Sequence, residues 1–263
     1  VTATLYLVDA FAEHAFTGNP AAVCILPRPR AEAWMQSVAT EMNQSETAFL
    51  SKEGSSWRLR WFTPKVEIDL CGHATLASAH ALWEEGLEPA ESPVHFATRS
   101  GDLVAWHVGG EVELDFPIRR PVETAVPAGL AEALHVRVVS CAANNRDVLV
   151  EVASDEVVRR LAPDLRALAA AWRGGVIVTA RSRDERWDFV SRFFAPGFGV
   201  PEDPVTGSAH CALGPWWGEK LGKADLVGLQ VSHRGGVVKV RVDAERTFLR
   251  GRAFTVVRGE LRT

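Results

Sequence analysis

Two segments of this 263-residue chain echo one another. WFTP at 61–64 precedes CGHATLASAHALW at 71–83, and FFAP at 193–196 precedes TGSAHCALGPWW at 206–217. Each copy reads as a strand ending in Phe-x-Pro, a loop, a glycine, and a helix with small residues in its first turns. Self-similarity at half the chain length predicts one unit of fold built twice. The two copies are expected to face each other about a pseudo-twofold axis, with both helix N-termini opening on one cleft. The first turn of a helix has backbone N–H groups without intrahelical partners and about half a positive charge from the dipole, so it suits anions. Gly72 lets a ligand approach the backbone, and His73 adds a group that titrates near neutral pH, or is simply a polar residue at a helix start.

The remaining pattern fills in each half. ATLYLVDAF at 3–11 and AAVCILP at 21–27 alternate as strands, with TGNPAA at 17–22 turning between them. A helix is expected from about Ala31 to Met42, strands at 46–51 and 57–62, and a helix from His73 to Glu85. Three further strands at 94–99, 102–108 and 111–116 complete the first half. The second half offers strands at 136–142 and 147–152, a helical stretch between Ser154 and Trp172, strands at 175–180 and 187–194, a helix from about Thr206 to Leu221, and strands to the end. The prolines between Pro117 and Pro127 suit a linker. The expected domains are 1–118 and 119–263, with the last strand able to return to the first domain.

A formal net charge of -4 and a pI near 6.1 argue against nucleic-acid binding through a basic surface, because such binding depends on Lys and Arg neutralising phosphates. No apolar run approaches the roughly 18 residues that cross a bilayer, and no charged-then-apolar leader precedes the first strand, so a cytoplasmic location is expected. The cysteines at 24, 71, 141 and 211 fall in no CxxC pattern, and neither a disulfide framework nor a metal site is expected.

Taken singly, the candidate side chains have ordinary readings. Glu46 follows NQS at the start of a strand, where most glutamates are idle. Asp203, in EDPVTGSAH at 202–210, suits a turn shaped by Pro204, and Thr206 and Ser208 suit helix caps. His80 and His210 lie inside helices and read as structural. Asp9, Asn19 and Pro20 read as a strand end and turn.

Their combination is more specific. VDAFAEHAFTGNPAAV, NQSETAFL, RWFTPKVEIDLCGHATLASAHALW and DPVTGSAHCALGPWW occur in this order over nearly the whole chain, and together they resemble the PhzF-like family of phenazine biosynthesis. The resemblance implies a diaminopimelate-epimerase-like α/β (α+β) fold. Such a fold has two similar domains, each a curved, mostly antiparallel sheet wrapped around a central helix, with the active site in the cleft between them. By the same resemblance Glu46 is the proton-transferring acid/base, His73 and Asp203 join it as catalytic residues, and Ser208 binds substrate with the backbone of Gly72 and Gly207. The family works without a cofactor. Its phenazine enzyme isomerises a dihydro-hydroxyanthranilate by a proton shift, but other members occur where no phenazine is made, so the substrate does not transfer with the fold.

Moving a proton between carbons without a cofactor needs a base whose conjugate acid returns the proton, and a carboxyl in a closed cleft suits that task. The expected activity is therefore a cofactor-independent isomerase acting on a small, anionic, carboxylate-bearing substrate, cyclic or amino-acid-like. Related racemases of this fold oppose two cysteines, one before each cleft glycine; here those positions are Cys71 and Thr206. A threonine hydroxyl is too weak an acid for symmetric racemisation, but a Cys/Thr pair suits a dehydratase. Cys71 otherwise reads as packing. A partner-binding protein that has lost turnover is a third reading, against which the intact Glu46, His73, Asp203 and Ser208 stand. The resemblance also implies a homodimer, which an exposed Trp216–Trp217 pair would favour.

Overall fold

The computed structural model describes residues 2–262, and the chain divides into two compact units. One takes the residues through Asp115 together with those from Arg250 onward, and the other takes Phe116–Leu249. In the first unit the strands Ala3–Ala10 and Asn19–Leu26 pair antiparallel, and the far edge of Ala3–Ala10 carries Ala253–Leu261, also antiparallel. Asn19–Leu26 then runs parallel to Thr47–Glu53 after the crossover helix Glu32–Met42. Thr47–Glu53 pairs antiparallel with Ser56–Phe62, which runs parallel to Val94–Thr98 after a second crossover containing the helix Gly72–Glu84. Val94–Thr98 turns back antiparallel into Gly101–Val108.

The second unit repeats this succession. Val138–Ala143 is antiparallel to Asp147–Val152, which is parallel to Gly175–Arg181. Gly175–Arg181 is antiparallel to Phe189–Ala195, which is parallel to Asp225–Gln230, itself antiparallel to Gly236–Asp243. The helix Gly207–Leu221 lies in the second parallel crossover, the place that Gly72–Glu84 holds in the first unit. The echo of the two Phe-x-Pro segments is thus an echo of topology.

Strand identity follows from alternation. In SWRLRWF at 56–62, Trp57, Leu59 and Trp61 are buried while Arg58 and Arg60 reach toward solvent. The two long helices follow a different rule, because small residues surround them on every side. In Gly72–Glu84 the residues from His73 through Ala79, with Ala81 and Leu82, are buried. A helix apolar all round is a core helix. The hydroxyls it buries are satisfied locally: Thr75 Oγ1 donates to the Cys71 carbonyl at 2.6 Å and Ser78 Oγ to the Ala74 carbonyl at 2.7 Å. Gly207–Leu221 contains Pro215, which has no N–H for the carbonyl four residues back. That carbonyl, of Cys211, accepts from the Arg119 N–H at 3.0 Å instead.

Two sequence expectations change. The helical stretch between Ser154 and Trp172 is two short helices, Asp155–Arg159 and Leu165–Ala171. Pro163 lies between them; it lacks an N–H and disfavours helical backbone at Ala162. Asp164 then caps the second helix, accepting from the Arg166 and Ala167 N–H groups at 3.0 Å each. Trp216 and Trp217 are buried rather than presented as an apolar surface. Trp217 Nε1 donates to Thr179 Oγ1 at 3.0 Å and Trp216 Nε1 to Glu151 at 3.2 Å, so the pair offers no apolar face for a dimer. Among the described residues no helix is long and apolar enough to cross a membrane.

Candidate active site

In the first unit a constellation forms where three chain segments meet. Cys71 is the N-cap of the Gly72–Glu84 helix, and its side chain makes no capping bond. His73 follows in the first turn, nearly fully buried. Glu46 comes from the residue before the strand Thr47–Glu53, and its side chain is 17% exposed. Its Oε2 lies 3.2 Å from His73 Nε2. Asn19, at the start of its strand, reaches His73 Nδ1 through Nδ2 at 3.2 Å, and Ser45 Oγ lies 3.4 Å from His73 Nε2.

This network assigns the histidine tautomer. The Asn19 amide is oriented by Ser45, whose hydroxyl donates to Asn19 Oδ1 at 3.5 Å. Asn19 Nδ2 is then the donor to His73 Nδ1, which leaves the proton on Nε2 pointing at the Glu46 carboxylate. Cys71 Sγ lies 3.5 Å from Nδ1, so it touches the imidazole rather than only filling space. The turn that delivers Asn19 depends on Gly18, whose φ is +72°. A Cβ there would come within 2.3 Å of the Ala10 carbonyl oxygen, so no other residue fits. Asp9 braces the same loop by accepting from the Phe16 N–H at 2.7 Å.

The second unit holds the other sequence candidates. Thr206 is the N-cap of Gly207–Leu221, yet its hydroxyl makes no capping bond. It donates to Asp203 Oδ2 at 2.5 Å. Buried Gln230 clamps this turn: its Oε1 accepts from the Thr206 N–H at 2.9 Å, and its Nε2 donates to the Asp203 carbonyl at 2.7 Å. Gly207 is buried and Ser208 half-buried in the first helical turn. The cap reading of Thr206 thus gives way to a tether that holds the Asp203 carboxylate.

His210 is structural, as its position inside the helix suggests. Its Nδ1 donates to the Thr206 carbonyl at 2.8 Å, while its Nε2 is buried without a hydrogen-bond partner. Its ring lies 5.9 Å from the Phe189 ring, whose stacked neighbour is Trp217 at 6.1 Å. Burial pushes the imidazole pKa down from 6.5 to about 4, against the smaller upward pull of its hydrogen bond to Thr206. The folded state therefore favours neutral His210. Its stabilising contribution is complete above pH 6.5 and is lost as pH falls through about 4, about 3 kcal/mol in total. Urea unfolding across that window, with His210→Gln as the reference, is expected to show a steeper acid-side loss in the wild type than in the variant. Parallel profiles for the two proteins would contradict it.

Ser45 and Gln230 were not among the sequence candidates, and Asn19 was read only as part of a strand end and turn. Ser45 has a local signal, being adjacent to Glu46, but Asn19 contacts His73 across 54 positions of sequence and Gln230 contacts Thr206 across 24. Only the fold brings them in. Glu46, Cys71 and His73 present one carboxylate oxygen, one sulfur and one ring nitrogen within 4.8 Å of one another, a donor set able to hold a cation.

Comparison with known proteins fits this picture. The family model described as Phenazine biosynthesis-like protein, PhzC-PhzF, matches residues 8–259. An uncharacterized isomerase of Halalkalibacterium halodurans is 49% identical over 262 residues, which cover 99% of each chain. The crystal structure of a PhzF-family phenazine biosynthesis protein from Enterococcus faecalis matches with a TM-score of 0.95 at 42% identity, over 100% of both chains. A hydroxyproline epimerase from Agrobacterium vitis, at a TM-score of 0.64 and 14% identity over 99% of this chain and 92% of its own, is similar in fold alone. A family match over nearly the whole length, with isomerases among its curated relatives, shows that the chain belongs to the PhzC-PhzF phenazine biosynthesis-like family of isomerase-type enzymes with a diaminopimelate-epimerase-like fold.

Proposed function

We propose that this protein is a cofactor-independent isomerase that shifts a proton between carbons of a small carboxylate-bearing substrate, cyclic or amino-acid-like, with Glu46 as acid and base. The observation that carries this reading is the Glu46 carboxylate held 3.2 Å from the Nε2 of a histidine fixed on its other side by Asn19. A carboxylate oriented by a neutral N–H donor is ready to take a proton from a carbon acid. The balance is simple. Glu46 removes the proton from one carbon, the electron pair shifts along the substrate's conjugated system, and the resulting carboxylic acid returns the proton to another carbon. Nothing is oxidised and no group leaves.

In this reading His73 orients Glu46 and polarises the substrate. Asp203, held by Thr206, is the third catalytic residue, and Ser208 with the backbone of Gly72 and Gly207 binds the substrate carboxylate. The halves of the chain are proposed to serve one substrate, on the strength of the repeated topology and the resemblance. A homodimer in the cytoplasm belongs to the same reading, and sedimentation of the purified protein tests the dimer.

The competing dehydratase chemistry makes the Cys71 thiolate the base. Under the isomerase reading, Cys71→Ser is expected to keep most of the activity, because the change is nearly isosteric and the sulfur only lines the imidazole. Under the dehydratase reading the serine, lacking an accessible anion near neutral pH, is expected to lose several orders of magnitude. The assay is a product screen over cyclic and hydroxylated amino acids and dihydro-hydroxyanthranilate, run on wild type, Cys71→Ser and Glu46→Gln. Loss in the serine variant with retention in the glutamine variant overturns the assignment.

A further inference from the structure

We infer that Arg119, Arg120 and Arg146, to which the isomerase reading gives no role, form a binding site for a small phosphate ester or anhydride. The three side chains line one cavity of about 670 Å³ in the second unit, a size that suits a small-molecule ligand. Arg119 and Arg120 come from the segment ahead of the short strand Val122–Glu123, and Arg146 from the turn that joins Val138–Ala143 to Asp147–Val152. No acidic side chain lines the cavity. Among the described residues no acid lies within ion-pairing distance of these three guanidiniums, whereas Arg60, Arg192 and Arg258 are each held by a carboxylate. Gathering three unpaired cations in one groove costs the folded state through mutual repulsion, and a chain of net charge -4 has acids to spare for pairing them. A bound anion removes that cost. The carboxyl of Asp147 feels both Arg146 and Arg119, but it is fully buried, and burial pushes its pKa up against their pull. It is a poor counter-ion for the groove.

The turn that carries Arg146 is fixed in place. The Asn144 N–H donates to the Asp147 carbonyl at 3.0 Å, and Asn144 Oδ1 accepts from the Arg146 and Asp147 N–H groups at 2.9 and 2.8 Å. A Cβ at Gly174 would come within 1.9 Å of the Arg146 carbonyl oxygen, so the chain leading into Gly175–Arg181 holds the turn from its other side. With its oxygen committed, the Asn144 amide is left with a buried Nδ2 that has no hydrogen-bond partner. An anion oxygen drawn onto this wall supplies one. The ligand class follows from charge and shape. A monocarboxylate brings one charge and two oxygens to three guanidiniums. A phosphoryl group brings about two charges and three acceptor oxygens, and an anhydride more, which matches planar guanidinium forks on several sides. Ile118 and Val122 offer an apolar wall to the body that carries it.

The test is a calorimetric titration of the intact protein with inorganic pyrophosphate in metal-free, low-salt buffer, with acetate as the monoanion control. The wild type is expected to bind one equivalent of pyrophosphate, more weakly as sodium chloride is raised, and to show no saturation with acetate. Arg119→Gln and Arg146→Gln are each expected to weaken binding by roughly tenfold to hundredfold, the worth of a charge-assisted hydrogen bond. Arg146→Lys keeps the charge without the fork and is expected to fall between. Melting curves near wild type are expected for all three, because the Arg119 N–H still reaches the Cys211 carbonyl and the Arg146 N–H still reaches Asn144. Ser208→Ala, at the helix start proposed to hold the substrate carboxylate, is expected to leave pyrophosphate affinity unchanged. Absence of saturable binding, or unchanged affinity in both folded glutamine variants, overturns the site. Loss in Ser208→Ala with retention in the arginine variants moves the anion to the substrate site and overturns it as well. Acetate bound as tightly as pyrophosphate overturns the ligand class.

Discussion

Glu46→Gln is expected to lower turnover by roughly 10² to 10⁴, the span that a positioned acid/base contributes, while binding and thermal stability stay close to wild type. The glutamine keeps the shape of the side chain and offers an amide oxygen to the His73 Nε2–H, so the contact at 3.2 Å has a substitute. What it lacks is an atom that takes a carbon-bound proton and gives it back. The loss is therefore expected in kcat with little change in KM, the signature of an interaction made in the transition state. Kinetics on any substrate that the screen turns over, with a melting curve for each variant, separate the two effects. A glutamine variant within a factor of a few of wild type would remove Glu46 from the chemistry.

The largest expected loss of stability comes from Phe189→Ala, at about 3–5 kcal/mol. Phe189 is fully buried, with Trp217 stacked on its ring and the His210 imidazole lying beside it. The neighbouring strand allows for its bulk with Gly228, where a Cβ would come within 2.4 Å of the ring. Truncation leaves a cavity beside Trp217 and His210, two rings of the helix that begins at Gly207, which cannot collapse without moving that helix. It also admits water to His210, so that the pKa, held at about 4 by burial, is expected to climb back toward 6.5. Calorimetry reads the first effect and proton NMR of His210 the second. A destabilisation under about 1 kcal/mol, against the usual cost of emptying an aromatic site, would mean that the ring is not the support described.

Much of the fold was legible in the sequence because its signals are local. Alternation marked the strand Ser56–Phe62, and a run of small residues around His73 and again around Ala209 marked two helices that are buried on every side. The two Phe-x-Pro segments marked the repetition. Pro163 was a local signal too, and the apolar pattern running through it concealed the break it makes between Asp155–Arg159 and Leu165–Ala171. Burial of Trp216 and Trp217 was not legible, since it depends on Thr179 and Glu151 arriving from other strands. The candidate residues divide in the same way. Glu46, His73 and Asp203 stand in recognisable segments, but nothing near Asn19 in sequence says that its amide fixes the tautomer of His73. Likewise Thr206 reads as a cap until Gln230 and Asp203 are placed around it.

The most direct measurement of the central claim is solvent hydrogen exchange. Substrate turned over in D₂O by wild type, Cys71→Ser and Glu46→Gln is analysed by mass spectrometry and NMR for deuterium at the carbon that receives the proton. If Glu46 carries the proton, wild type and Cys71→Ser form product at similar rates with the same ratio of deuterium to transferred substrate hydrogen at that one carbon, and Glu46→Gln forms almost none while still binding the substrate. Deuterium incorporation by Glu46→Gln at the wild-type rate, with its loss in Cys71→Ser, would contradict the account and transfer the proton to the cysteine.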